Sequence, residues 1–490
     1  MHEPADALMI TGASGRLGAA LALHLRDRYR VVAFDRAGPS LPPEGVETIN
    51  LDLSTDEGVQ AAFGAFRDRH GDRVASVLHF AAYYDFTGDD DPRYEQVNVE
   101  GSARLIRGLR KSGLRSGQFV YASSMVVHAP GEPGRPITEA SPTGPTIPYA
   151  RSKLRAEEAL KADRDGTPLV ILRLANVYDD EVHHPVLAQQ FVRAYERKPG
   201  HTVYPGDPAR GQSYLHLDDL LDAVDRVVDR RMDLPDVLAL LLGEPGATSY
   251  GAIQDALGRE LHGSVPGTLR VPKALAKLGV RARRLWPFGP EPFVHPWMVD
   301  RAGDHYELDV SEARDRLGWS PSRSLLDRLP AMTRSLRDDP AAWYRSNDLE
   351  PPRSAPEGGE AEDRAKVDEC RREDHVHHRP GSLDLAITIE YLDEKPEPPG
   401  QSQEPGEEPP EARGRHLGRG EQARQRKGND EQGNVQVMDV EDLPDGRRDL
   451  RQVLAVGEDL GREQGRDRDQ GKQAAGDPQL EDQVHRAKRP

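Results

Sequence analysis

Met9-Ile10-Thr11-Gly12-Ala13-Ser14-Gly15-Arg16-Leu17-Gly18 closes a short apolar run and opens a helical pattern. It reads as the phosphate cradle of a dinucleotide site. Gly12 permits a tight strand-to-helix turn, Gly15 lets the backbone approach a pyrophosphate, and Gly18 lets the helix Ala19 to Leu25 pack closely on the strand. The phosphates then sit on free helix N–H groups. Ser14, Arg16 and Leu17, in the same turn, are candidate cofactor contacts.

Three glycines alone also make an ordinary surface turn, so the context decides. A second apolar strand, Arg30 to Phe34, ends in Asp35, at about the distance expected for the carboxylate that binds the adenosine ribose hydroxyls. An acid there favours NAD. Arg36 beside it is of the type that accepts a 2′-phosphate, so NADP stays open.

Strands and helices alternate through the first third of the chain, the pattern of an α/β protein with a parallel sheet covered on both faces. Val46 to Leu51 reads as a third strand leading into Asp52 and Leu53, where an adenine edge can be held. Val74 to Ala82 reads as a buried fourth strand whose small last residues, with Phe80, Ala81 and Ala82, let a cofactor lie against the backbone. Tyr94 to Lys111 has apolar positions at helical spacing and carries Asn98. Gln118 to Val127 reads as a fifth strand with Ser123 and Ser124 at its C-terminal end, where ligands bind in open parallel sheets.

Tyr149 and Lys153 follow in Pro148-Tyr149-Ala150-Arg151-Ser152-Lys153. Four apart on a helix, they share a face. A tyrosine titrates near 10, too high for a base at neutral pH, and a cation beside the phenol is expected to lower that value.

Bulk properties narrow the partners. A formal net charge of −17 over 490 residues disfavours nucleic acid and anionic membrane surfaces. One cysteine, Cys370, excludes an intrachain disulfide. The N-terminal Met-His-Glu-Pro-Ala-Asp has no basic flank, and no run approaches membrane-spanning length, so a cytoplasmic protein is expected. After Glu350 the composition turns to Glu, Asp, Arg, Gln, Gly and Pro, with Tyr391 as the last aromatic residue. Residues 351–490 are therefore expected to be a disordered tail, with an apolar island at Leu383 to Leu392. The abruptness of that change also fits translation from a shifted frame or a read-through. Cys370 with His375, His377 and His378 lacks the paired spacing of a zinc site, and no metal is expected.

In combination and order these motifs resemble the extended short-chain dehydrogenase/reductase family, the NAD-dependent epimerase/dehydratase group, over residues 7 to 345. Thr11 to Gly18 is similar to its TGxxGxxG, Tyr149 to Lys153 to its YxxxK, and Leu172 to Tyr178 to its LRxxNvYG, with Asp179 in place of the final glycine. Tyr214 to Asp219 resembles its fIHVdD segment, and Ala313 to Trp319 its A-x-x-x-LGW.

The resemblance implies a Rossmann-type doubly wound sheet (about 7–175 plus 206–229) and a smaller C-terminal substrate lobe (about 176–205 and 230–340). It implies NAD as cofactor, Ser124 as hydroxyl-binding residue, Tyr149 as general base and Lys153 as its cation and nicotinamide-ribose contact. Asn98 falls where the family keeps a helix Asn and joins the candidate cofactor residues. Asn176, Gln212 and Arg301 become candidate substrate contacts, although sugar-nucleotide epimerases tend to carry Arg where Gln212 stands. Met125 and Val126 replace the Asp-Glu of the sugar dehydratases, which disfavours elimination.

The implied function is an NAD-dependent sugar-nucleotide epimerase or a close oxidoreductase. The alternatives are a carbonyl reductase or hydroxyl dehydrogenase on a non-sugar substrate, and a non-catalytic NAD(P)-sensing regulator. The family often dimerises through the helices that here are Tyr94 to Lys111 and Tyr149 to Leu160, so a homodimer is the implied assembly. Trp286 and Trp297 read as lobe core or as an aromatic wall, and His295 is assigned no role.

Overall fold

The computed structural model describes residues 7–36, 38, 42–85, 87–197, 201–284 and 293–352. The expected tail from residue 353 on, its apolar island, Cys370 and Trp286 lie outside the described residues.

Seven parallel strands form the central sheet: β1 (Ala7–Thr11), β2 (Arg30–Asp35), β3 (Glu47–Asn50), β4 (Ser76–His79), β5 (Phe119–Ser124), β6 (Leu169–Leu174) and β7 (Val237–Leu242). Their spatial order is β7-β6-β5-β4-β1-β2-β3. Met9 stands opposite Val32 on one side and Val77 on the other. The chain runs from β1 outward to β3 and then returns to β4 on the other side of β1. That reversal leaves a crevice beyond the ends of β1 and β4, where an open α/β sheet binds its ligand.

Burial on both faces explains the apolar strands. Side chains alternate along β1, so Leu8 and Ile10 enter one core and Ala7 and Met9 the other. The first core takes Leu21 and Leu25 of α1 (Arg16–Leu25), and the second takes Phe63 and Phe66 of α2 (Asp56–His70). Leu105 and Leu109 of α3 (Glu100–Lys111) and Leu160 of α4 (Pro148–Asp163) complete the second core. A third cluster joins Phe191 of α5 (Pro185–Glu196) to Leu257 in Tyr250–His262, Leu325 and Trp343.

Several expected boundaries move. The first helix begins at Arg16, three residues before the expected Ala19, because Gly15 already accepts from the Ala19 N–H at 2.8 Å. The fourth strand is shorter than Val74 to Ala82: its ladder covers Ser76–His79, and Phe80 to Ala82 leave the sheet as a loop. The fifth strand ends at Ser124, and Met125–Val127 form a 3-10 turn. Tyr94 to Lys111 is helical throughout, but Tyr94–Val99 is a π turn preceding α3. The division at residue 230 also shifts, because Val237–Leu242 pairs along its whole length with β6 and so belongs to the sheet.

Two glycines allow the crevice to exist. Gly12 has φ +74°, and a Cβ there would stand 2.7 Å from the Ala81 nitrogen. A Cβ at Gly18 would stand 2.1 Å from the Gly12 oxygen. Neither contact can relax by a side-chain rotation, since both partners are backbone.

Candidate active site

A cleft of about 1020 Å³ extends from this crevice. Of the expected cofactor residues, Gly12, Ser14, Gly15, Arg16, Leu17, Gly18, Asp35, Arg36, Asp52, Leu53, Phe80, Ala81 and Ala82 line it, with Tyr149. The Asp35 carboxylate accepts from the Ser14 backbone N–H at 2.7 Å, which joins the second strand's carboxylate to the glycine turn. Asp52 is turned toward its own loop, accepting from the Ser54 N–H at 2.8 Å and hydroxyl at 2.6 Å. The Ser14 hydroxyl oxygen is buried and, among the described residues, has no hydrogen-bond partner. These features fit a bound dinucleotide: an open backbone cradle, a carboxylate at its end and an unused hydroxyl inside.

Asn98 is a correction. It does not line the cleft. Its Oδ1 accepts from the Tyr83 N–H at 2.7 Å, while Nδ2 donates to the Tyr83 oxygen and the Ser152 hydroxyl, each at 2.9 Å. Both its donors and one acceptor site brace the loop after β4 against α4, so it positions the walls of the site.

Beneath the cradle runs a polar chain that sequence reasoning missed. Buried His79 contacts the Thr11 hydroxyl at 2.6 Å through Nδ1 and the Ser102 hydroxyl at 2.8 Å through Nε2. The Ser102 hydroxyl donates to the Asn98 oxygen at 2.6 Å, and Thr11 Oγ1 accepts from the Ala81 N–H at 3.3 Å. Because the Ser102 hydroxyl donates onward, Nε2 carries a proton, and a neutral imidazole then accepts from the Thr11 hydroxyl at Nδ1. Burial, with Lys153 adding to it, pushes His79 down to about 3, which keeps it neutral.

Ser124 and Tyr149 line the cleft together; Ser123 lines it too, but its hydroxyl is committed to Glu157 at 2.6 Å. The Tyr149 ring packs edge-on against Tyr84, with centroids 4.6 Å apart. Lys153 lies 5.7 Å from the Tyr149 centroid, is only 2 % exposed and donates to the Ala122 oxygen at 2.8 Å. It does not itself line the cleft.

The expected lowering of the phenol is absent here. Burial pushes Tyr149 up, and pushes the Lys153 ammonium down to about 7 despite the opposing pull of Glu157. Desolvation outweighs a cation that is held by a carbonyl and is itself only partly charged at neutral pH.

Lys153 gives a signed prediction. Its folded value, about 7, lies below its ordinary 10.5, so the native state binds fewer protons than the unfolded chain between those values. Stability from this group therefore rises with pH across that window and is lowest below it. Urea midpoints of wild type and Lys153→Met should diverge in slope, with wild type gaining relative to the variant from pH 7 upward. Parallel pH dependences would refute the assignment.

Glu157, one turn beyond Lys153, is fully buried. Arg173 of the LRxxN segment donates to it from Nη2 at 2.7 Å and from Nε at 3.1 Å. Arg173 Nη1 also lies 3.0 Å from His128 Nε2, whose Nδ1 lies 3.1 Å from the Ser141 oxygen. Burial and the Arg173 charge push His128 down, in keeping with a neutral acceptor at Nε2. The motif arginine thus fixes α4 to β6 below the site.

The three candidate substrate contacts, Asn176, Gln212 and Arg301, all line the cleft. Asn176 Nδ2 donates to Gln212 Oε1 at 2.7 Å, and Arg301 Nη1 pairs with Asp304 at 3.2 Å. Arg210 also lines the cleft and pairs with Glu132. Tyr204 and Tyr250 stack at 3.7 Å between centroids and line the same end. Trp297 lines the cleft as a wall rather than closing a core, with its indole against Gly88, where a Cβ would stand 2.3 Å from Cδ1. Val126 lines the cleft and Met125 is buried beside it, so neither dehydratase position offers a proton.

Comparison with known proteins finds relatives of this chain. Residues 8–239 match the model of the NAD dependent epimerase/dehydratase family. A UDP-glucose 4-epimerase of Streptomyces lividans is 27 % identical over 343 residues, covering 64 % of this chain and 92 % of its own. A dTDP-D-glucose 4,6-dehydratase of Homo sapiens is 24 % identical over 233 residues, covering 45 % of this chain and 64 % of its own. The crystal structure of Thermus thermophilus UDP-glucose 4-epimerase in complex with NAD superposes with a TM-score of 0.51 at 22 % identity, over 68 % of this chain and 99 % of that one, and shows the shared fold. The glycine turn and the YxxxK helix both fall within segment 8–239, the part of the chain that matches the NAD-dependent epimerase/dehydratase family.

Proposed function

We propose that this protein is an NAD-dependent sugar-nucleotide epimerase in which Tyr149 is the general base. The observation that carries the reading is one continuous cleft holding the glycine cradle, the Ser124–Tyr149 pair and the Asn176–Gln212–Arg301 wall. The family match over residues 8–239 and relatives that are UDP-glucose 4-epimerases support it.

Gly12 to Gly18 and Asp35 hold the cofactor, and NAD supplies a hydride acceptor that can return what it takes. Ser124 orients the substrate hydroxyl by a hydrogen bond. Tyr149 removes that proton as the carbinol becomes a carbonyl and restores it when the alcohol re-forms. Lys153 favours the phenolate once charged. Arg301 and Arg210 face the nucleotide diphosphate, for which a guanidinium fork is suited. Elimination is disfavoured because Met125 and Val126 cannot transfer protons.

Arg301→Ala tests the substrate half. It should weaken binding of a UDP-sugar about tenfold or more, the worth of one charge-assisted contact, while leaving NAD affinity unchanged. Calorimetric titration with each ligand checks this. Equal UDP-sugar affinity in variant and wild type would remove the diphosphate role.

A further inference from the structure

The family's glycine after the NvY segment is Asp179 here, and the structure shows what the change brings. Asp179 Oδ2 accepts from Arg16 Nη1 at 3.1 Å, and both its oxygens lie within 2.9 Å of His183 Nδ1. Arg16 is the first residue of α1, directly after Gly15 of the cradle. Two charged residues and a histidine thus link the cradle to the opposite wall, at side-chain exposures of 6 % for Arg16, 18 % for Asp179 and 10 % for His183. Arg16 and His183 both line the cleft.

The turn that places His183 is strained. Val182 has φ +81° and His183 φ +36°, consecutive left-handed conformations in residues with side chains, one of them β-branched. Such backbone costs about 1–3 kcal/mol per residue and persists where surroundings enforce it, often at functional sites. Reciprocal backbone hydrogen bonds between Asp179 and Val182, at 2.9 and 3.4 Å, and an Asp179 side-chain acceptor for the Glu181 N–H at 3.0 Å enforce it here. An Arg16–Asp179 pair alone would not need this turn. The next residue, His184, caps α5 by accepting from the Leu187 N–H at 3.2 Å, so a second helix N-terminus borders the same space.

Resting on the NAD reading above, we propose that His183, oriented by Asp179 and braced by Arg16, is a ligand of the cofactor's diphosphate on the side opposite the glycine cradle. The Asp179 carboxylate accepts from Nδ1–H, and Nε2–H of the imidazolium is then the donor to the anion. The diphosphate is then held between backbone N–H groups on one side and a side-chain donor on the other.

The test is equilibrium binding of NAD, ADP-ribose and adenosine to the full-length wild type, His183→Ala and His183→Gln, with thermal melting to confirm that each is folded. ADP-ribose keeps the diphosphate and lacks the nicotinamide; adenosine lacks the diphosphate. His183→Ala should weaken NAD and ADP-ribose about tenfold each and leave adenosine unchanged, and His183→Gln, which keeps an N–H donor, should recover part of the loss. Unchanged NAD affinity in His183→Ala, or equal weakening of all three ligands, would overturn the proposal. Wild-type protein that failed to bind NAD at all would instead overturn the cofactor reading on which it rests.

Discussion

Tyr149→Phe should lower the turnover of a nucleotide sugar by a factor on the order of 10²–10⁴, the usual contribution of a positioned acid–base group. The substitution removes one oxygen. Among the described residues the Tyr149 hydroxyl has no hydrogen-bond partner, and the ring keeps its edge contact with Tyr84. Melting temperature and NAD affinity should therefore match wild type while product formation collapses. A variant that kept most of its activity would show that another group carries the proton. A variant that lost fold and activity together would show that the hydroxyl is structural.

The second large effect is on stability. Arg173→Met should cost about 3–5 kcal/mol, because it leaves the buried Glu157 carboxylate without its bidentate partner. Among the described residues its remaining direct partners are the Ser123 hydroxyl and the more distant Lys161, at 3.8 Å. Replacing both members, as Arg173→Met with Glu157→Leu, should destabilise less than the single change, since no lone buried charge is then left. Urea unfolding of the two variants and wild type measures both numbers. A single variant as stable as wild type would mean that Glu157 is protonated or hydrated in the native state.

How much of this was legible in the sequence depended on how local each cause was. The glycine turn, Asp35 and the Tyr149–Lys153 spacing are set by neighbouring residues, and the structure brings the first two and Tyr149 to one cleft. Asn98 had a pattern but no visible partner, because Tyr83 and Ser152 lie 15 and 54 positions away. His79 was hidden in an apolar strand, and its partners Thr11 and Ser102 are as remote in sequence. Val237 to Leu242, a run of apolar residues only, carried the pattern of a doubly covered parallel strand. Its place beside β6 depends on a crossover through α6 (Leu217–Asp229), which chain order alone did not reveal. The protonation of Lys153 was misjudged for another reason. Spacing predicts a neighbouring cation, whereas the depth of burial that discharges it is a property of the assembled core.

The central claim is reversible oxidation with the cofactor recycled. It is tested most directly by incubating the full-length protein with UDP- and dTDP-sugars and only a trace of NAD, then resolving the products by chromatography. Epimers accumulating far beyond the NAD supplied are the expected result. Sugars returned unchanged, or one oxidised product per NAD consumed, would contradict it and point to a dehydrogenase acting on a different substrate.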